Sequence, residues 1–111
     1  MKKTRLGELQ ELILMAIIVL QDEAYGNMIQ RELEERLEDR LSTGAIQTAL
    51  KRMEDKGFLT SRWGEATQKR GGKRKRIYKA TPYAHQVLQD MKDVRSKLWQ
   101  AMPQLDLNKL S

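Results

Sequence analysis

Residues 38–57 read EDRLSTGAIQTALKRMEDKG, and the fold follows from how this stretch divides. Ser42 is a residue type that caps helix N-termini, because its hydroxyl accepts from an orphan N–H of the first turn. After it, Ile46, Ala49, Leu50 and Met53 fall three, one and three residues apart, which is one apolar stripe along a helix. Gly57 ends the stripe, and glycine is favoured just past a helix because it enters left-handed backbone without a Cβ clash. These signals predict a helix of about three turns. With the stripe turned inward, Gly44, Thr48, Lys51 and Asp55 face outward, and Gln47 and Arg52 flank them.

Upstream, Tyr25, Met28, Ile29, Leu33 and Leu37 form a second amphipathic pattern, with Gln30, Arg31, Glu34, Glu35 and Glu38 outside it. Residues 38–41 join the two patterns, so the pair reads as a helix-turn-helix. Glu32, Glu34, Glu35, Glu38 and Asp39 alternate with Arg31, Arg36 and Arg40, as on an ion-paired solvent face. Further upstream, over residues 6–21, Leu6, Leu9, Leu12, Ile13, Ala16, Ile17 and Leu20 line one side of a helix. Leu14, Met15, Ile18 and Val19 fill the other. A small chain cannot cover such a helix all round, so a second subunit is expected against it, with Ile13 and Ile17 as dimer contacts.

Downstream the period changes to two. Over residues 58–65, Leu59, Ser61 and Trp63 lie on one side and Thr60 and Arg62 on the other, and residues 73–80 can pair with them across Gly71-Gly72. This is a two-stranded wing. Thr81-Pro82 then combines a cap with a proline at the first helical position, and Pro103 should end the helix near Met102. Its apolar residues Ala84, Val87, Met91, Val94, Leu98, Ala101 and Leu105 alternate three and four apart, as in a coiled-coil seam or a plain core-facing helix. The surplus apolar surface on the first helix favours the seam, with Val87, Met91, Val94 and Leu98 as dimer contacts. The expected fold is mainly α with a small β-hairpin. Residues 1–80 make a winged helix-turn-helix and residues 81–111 a dimerisation helix and tail.

At 111 residues, 40% hydrophobic and 32% charged, the chain is one globular domain by length and composition. Lys and Arg number 21 against 15 Asp and Glu, a formal charge of +6, which points towards polyanions. The excess is concentrated. Residues 66–80 carry Lys69, Arg70, Lys73, Arg74, Lys75, Arg76 and Lys79 and no acid, so the hairpin suits backbone phosphates. On the third helix, Ser42, Thr43, Gln47 and Thr48 can meet DNA near its N-terminus, Gln and Thr being able to read base edges, whereas Lys51 and Arg52 suit phosphates. Lys73, Arg74, Lys75 and Arg76 complete the candidate DNA contacts.

The chain has no cysteine, which excludes disulfides, thiolate zinc sites and a cysteine nucleophile and fits a reducing cytoplasm. The opening Met1-Lys2-Lys3-Thr4-Arg5 imitates the start of a signal peptide, but the apolar run over residues 12–20 is far short of the roughly 20 residues that cross a bilayer. His85 is the sole histidine and has no carboxylate at ligand or triad spacing. Gly71-Gly72-Lys73 lacks the first glycine of a phosphate loop and is followed by Arg74 where Ser or Thr is required. No enzyme, cofactor, metal or membrane partner is expected.

The motifs Leu41-Ser42-Thr43-Gly44-Ala45-Ile46, Leu50-Lys51-Arg52-Met53-Glu54 and Gly57-Phe58-Leu59 resemble the signature of the PadR family of winged-helix regulators. Ala24-Tyr25-Gly26 is similar to that family's entry to its second helix. Gly72, residues 74–78 and Thr81 are similar to its wing and second strand, and the single C-terminal helix to its compact subgroup. The resemblance implies a dimer in which the last helix packs on the partner's first helix, and repression by occupying operator DNA, including control of neighbouring genes. One departure is Gln47-Thr48, where the family usually has Tyr followed by a small residue or Pro, so no contact of that tyrosine carries over. Trp99 and Met102 lie beside the seam, where they either pack on the partner or hold a flat aromatic or cationic small effector, to which some relatives respond. Two other functions use the same fold: a sequence-neutral binder of nucleic acid, RNA included, and a protein-binding adaptor.

Overall fold

The computed structural model describes residues 6–64 and 74–104. Helix α1 spans Glu8–Leu20, a short 3₁₀ turn follows over Gln21–Glu23, and α2 spans Gly26–Leu37 and α3 Thr43–Asp55. Strands β1 (Leu59–Trp63) and β2 (Arg76–Ala80) form the hairpin, and α4 runs over Pro82–Ala101. This is the mainly α fold with a small hairpin expected from the sequence.

The ends of the elements have local causes. At α1 the Gln10 side chain accepts from the Gly7 N–H at 3.3 Å. Glu38 closes α2 in left-handed backbone. Ser42 Oγ accepts from the Ala45 N–H at 3.2 Å, a cap worth about 1 kcal/mol. At the far end of α3, Gly57 has φ +83°. The N–H of Phe58 returns to the Met53 carbonyl at 2.9 Å and that of Gly57 to the Glu54 carbonyl at 3.1 Å. This double closure turns the chain directly into β1. Thr81 repeats the Ser42 device, its Oγ1 accepting from the Ala84 N–H at 3.2 Å while donating to the Gly57 carbonyl at 2.8 Å. One side chain therefore starts α4 and fastens it to the end of α3.

The strands pair antiparallel from Leu59 opposite Ala80 to Trp63 opposite Arg76. Tyr25 adds a one-residue bridge to Ile77, and the Tyr78 N–H donates to the Ala24 carbonyl at 3.0 Å. Tyr25 is thus a bridge partner of β2 and the N-cap of α2, not a member of its buried face. The core is built from Ile13, Leu14, Ile17, Ile29, Ile46, Leu50, Met53, Phe58 and Leu59, all nearly inaccessible. Each such side chain contributes about 1.5–3 kcal/mol by leaving water. Phe58 also stacks on Tyr83, with ring centroids 5.0 Å apart.

Two expectations about α1 need correction. Ile13 and Ile17 are 0% and 2% exposed within a single chain, so they have no surface left for a partner. Leu14, assigned to the outer side, is also in the core. The apolar side chains that α1 leaves outside are Met15 and Val19. On α4 the division falls along the helix axis. Ala84 and Val87 are buried in the chain's own core and Leu88 and Met91 pack against it, whereas Val94 and Leu98 are 54% and 60% exposed. Val87 is therefore also occupied internally.

A polar contact ties α1 to α4. Both oxygens of Glu11, a buried residue, accept from the two terminal nitrogens of Arg95. The fork-on-carboxylate geometry satisfies Glu11 where an unpaired buried charge would be costly. The carboxylate holds the Arg95 guanidinium above its already high ordinary range.

Candidate nucleic-acid interface

The helix-turn-helix is set by two residues of α2 lying one helical turn apart. Gln30 Nε2 donates to the Leu41 carbonyl at 2.9 Å, and Glu34 accepts from the Leu41 N–H at 2.8 Å. Both backbone polar groups of Leu41 are thereby satisfied in the turn, where a free pair would be costly. Gln30 also accepts from Thr43 Oγ1 at 3.1 Å, so α2 holds the first residue of α3. By sequence alone Gln30 and Glu34 belong to a solvent face. Their i, i+4 spacing was visible, but the turn that folds back onto them was not.

Helix α3 buries Ile46, Ala49, Leu50 and Met53, and that burial turns Thr43, Gly44, Gln47, Thr48, Lys51 and Arg52 outward, all exposed. Lys51 stands 4.0 Å from Asp55 one turn on, a surface pair of little energetic weight. Gln47 lies against the start of α2: a Cβ placed on Gly26 would come within 2.9 Å of Gln47 Nε2. Glycine at position 26 is what lets the Gln47 amide settle there. The exposed face is a continuous polar surface at the N-terminal half of α3, flanked by Ser42, which is itself exposed.

In the described part of the wing, Arg74, Lys75 and Arg76 each contact a neighbouring group. Arg74 Nε donates to the Gly64 carbonyl at 2.9 Å. The Lys75 ammonium lies 5.3 Å from the centre of the Tyr25 ring. Arg76 donates through Nε to Ser61 Oγ at 2.7 Å, reaches Glu54 Oε1 at 3.4 Å and lies over the Trp63 ring at 5.6 Å. Ser61 in turn donates to Glu54 Oε2 at 2.6 Å. Arg76, expected simply as a phosphate contact, is therefore also the link between β2 and α3. Lys73, the tip Gly71-Gly72, Lys69 and Arg70 lie outside the described residues. Under this network Tyr78 is buried, and desolvation pushes its phenol above the ordinary value despite the nearby Arg76 cation.

The seam residues form a separate surface. Val94, Leu98, Trp99 and Met102 are exposed along α4, with Trp99 at 71%. A groove beside them, of about 350 Å³, runs between α1 and α4 and is lined by Met15, Leu88, Trp99 and the Glu11–Arg95 pair among others. Among the described residues no three His, Cys, Asp or Glu side chains are grouped to hold a metal ion. No helix there is long and apolar enough to cross a membrane.

A helix-turn-helix whose second helix is exposed on one face and followed by a hairpin and a capped helix defines the winged helix-turn-helix class of DNA-binding transcriptional regulators. The chain belongs to the transcriptional regulator PadR-like family, whose model matches residues 13–90. Among solved structures it is similar to a PadR-like transcription factor from Bacteroides fragilis, with TM-score 0.68 and 23% identity over 93% of this chain and 89% of that one. A PadR-like transcriptional regulator from Bacillus cereus gives 0.67 and 22%, over 84% and 85% of the two chains. A PadR family transcription regulator from Clostridium difficile gives 0.63 and 26%, over 83% and 93%. No curated protein matches the chain.

Proposed function

We propose that the chain is a sequence-specific, double-stranded-DNA-binding repressor that acts as a homodimer on an inverted repeat. The observation that carries this reading is the exposed polar face of α3, held against α2 through Gln30 and Glu34 and backed by a fully buried apolar stripe. A rigid helix with short polar side chains near its N-terminus suits a major groove. Ser42, Thr43, Gln47 and Thr48 lie on the DNA side, and Lys51 and Arg52 neutralise phosphates. Lys73, Arg74, Lys75 and Arg76 follow the adjacent backbone and supply sequence-independent affinity.

Residues 1–80 are the DNA-binding domain and residues 81–111 the dimerisation helix and tail. The interface is Met91, Val94 and Leu98 of one copy against Met15 and Val19 of the other, these being exposed or partly exposed apolar side chains, while Ile13, Ile17 and Val87 brace it from the core. A two-fold dimer sets the two α3 helices about 34 Å apart, one turn of DNA. Trp99 and Met102 border that interface and are the place for a planar aromatic effector, indole and thioether surfaces being adaptable to such ligands. A cytoplasmic site of action follows from the DNA partner.

The test is binding of the full chain to the inverted repeats beside its own gene against random duplexes at one salt concentration. Preference for one repeat, with two chains bound per duplex, is the expected result. Equal affinity for every duplex would favour a sequence-neutral binder, and no duplex binding would favour a protein adaptor.

A further inference from the structure

The hydroxyl proton of Thr43 is already committed. Gln30 faces the Leu41 carbonyl at 2.9 Å, and a carbonyl has no hydrogen to give, so the amide nitrogen must be the atom turned towards it. That settles which way round the amide lies. Its oxygen then faces Thr43 Oγ1 at 3.1 Å, and an amide oxygen also only accepts. The proton of this bond therefore comes from Thr43. A threonine hydroxyl has one proton and two lone pairs, so Thr43, exposed at the start of α3, presents lone pairs alone to an incoming ligand.

This polarity sorts the partners available on DNA. Phosphate oxygens, guanine O6, thymine O4 and the purine N7 atoms are all acceptors and cannot bond to a hydroxyl that has no proton to offer. The major-groove donors are the exocyclic amino groups, adenine N6 and cytosine N4. We propose that Thr43 is a base reader that accepts a hydrogen bond from an adenine or cytosine amino group, and that Gln30 is a positioning residue that keeps Thr43 from acting as a donor. The inference rests on the reading that α3 enters the major groove, and gives one of its residues a polarity. Glu34 supports the arrangement: it grips the Leu41 N–H at 2.8 Å, so the carbonyl that orients Gln30 is itself held in place.

The full chain is first used to select preferred duplexes from a randomised library. Each preferred adenine is then replaced by purine, and each preferred cytosine by 2-pyrimidinone, which removes the amino group. At one position per half-site this weakens wild type about two- to tenfold, the range of one net hydrogen bond, and leaves Thr43→Val, the isostere without a hydroxyl, unchanged. Gln30→Leu frees the proton, so thymine or guanine becomes as acceptable there as adenine or cytosine. Thr43→Ser keeps the hydroxyl and an acceptor in Gln30 for its proton, so it keeps the amino preference. Should Gln30→Leu fail to fold, the comparison of Thr43→Val with Thr43→Ser decides alone. If Thr43→Val responds to amino removal at every position as wild type does, this inference is overturned while the major-groove reading stands. If wild type prefers no duplex, both fall.

Discussion

Helices α3 and α4 begin in the same way and end in opposite ones. Each starts at a hydroxyl cap, Ser42 and Thr81, and each carries an apolar stripe of helical period. In α3 the whole stripe, from Ile46 to Met53, disappears into the chain's own core. In α4 only Ala84 and Val87 do, and the stripe continues through Val94 and Leu98 into solvent. The difference separates two uses of an amphipathic helix. Where the stripe is fully used, the opposite polar face is held rigidly and is available for a ligand. Where it is left over, an exposed apolar patch remains, the kind of surface that marks an interaction site.

The largest expected effect tests the first half of that contrast. Met53→Ala should cost about 2–5 kcal/mol of folding stability, as deletions in a closed core do. Leu98→Ala should change monomer unfolding by no more than about 0.5 kcal/mol, as exposed positions do. Urea unfolding of both at low protein concentration distinguishes them, and equal losses would break the comparison. The second half is tested by sedimentation. Wild type should run as a dimer at micromolar concentration, and Leu98→Lys or Met91→Lys, which would bury an unpaired charge in the interface, should run as monomers or aggregate. A monomeric wild type would remove the reason given for the exposed stripe.

Smaller effects belong to the wing. Replacing Lys73, Arg74, Lys75 and Arg76 with Ala should weaken all duplexes alike and flatten the dependence of log K on log salt by about one unit for each lost phosphate contact. Arg76→Ala alone should also lower the unfolding midpoint, because Glu54 and Ser61 lose their partner. A smaller effect still is a pH dependence. Burial raises the Tyr78 phenol above its ordinary value of 10.0, so its contribution to stability is complete below that value and is lost as pH rises through the folded-state pKa. Denaturation midpoints should fall above about pH 10, and Tyr78→Phe should flatten that fall.

What could be read from the sequence was local. Ser42, Gly57 and Thr81-Pro82 act within three or four residues of themselves, and their chemistry announces the helix ends wherever they stand. The apolar stripe of α3 was equally legible, because one short helix against one core leaves a single way to turn. Periodicity says that a side chain seeks cover but not which chain supplies it, so it points Ile13 and Ile17 towards a partner although their own core takes them. Contacts made by folding back were beyond reach. Glu11 and Arg95 lie at opposite ends of the fold's order, and Tyr25 forms its one-residue bridge only because Ile77 arrives beside it. Gln30 and Glu34 look like surface residues until the turn brings Leu41 onto them.

If the outward face of α3 reads DNA sequence, a double variant of that face loses the reading. For wild type and Gln47→Ala/Thr48→Ala, the ratio of affinities for the preferred inverted repeat and for random duplex is measured at fixed salt. The expected result is a loss of about 1–3 kcal/mol of discrimination for each good base contact removed, with affinity for random duplex nearly unchanged. Discrimination that survives the double change intact would contradict it and move the reading surface elsewhere.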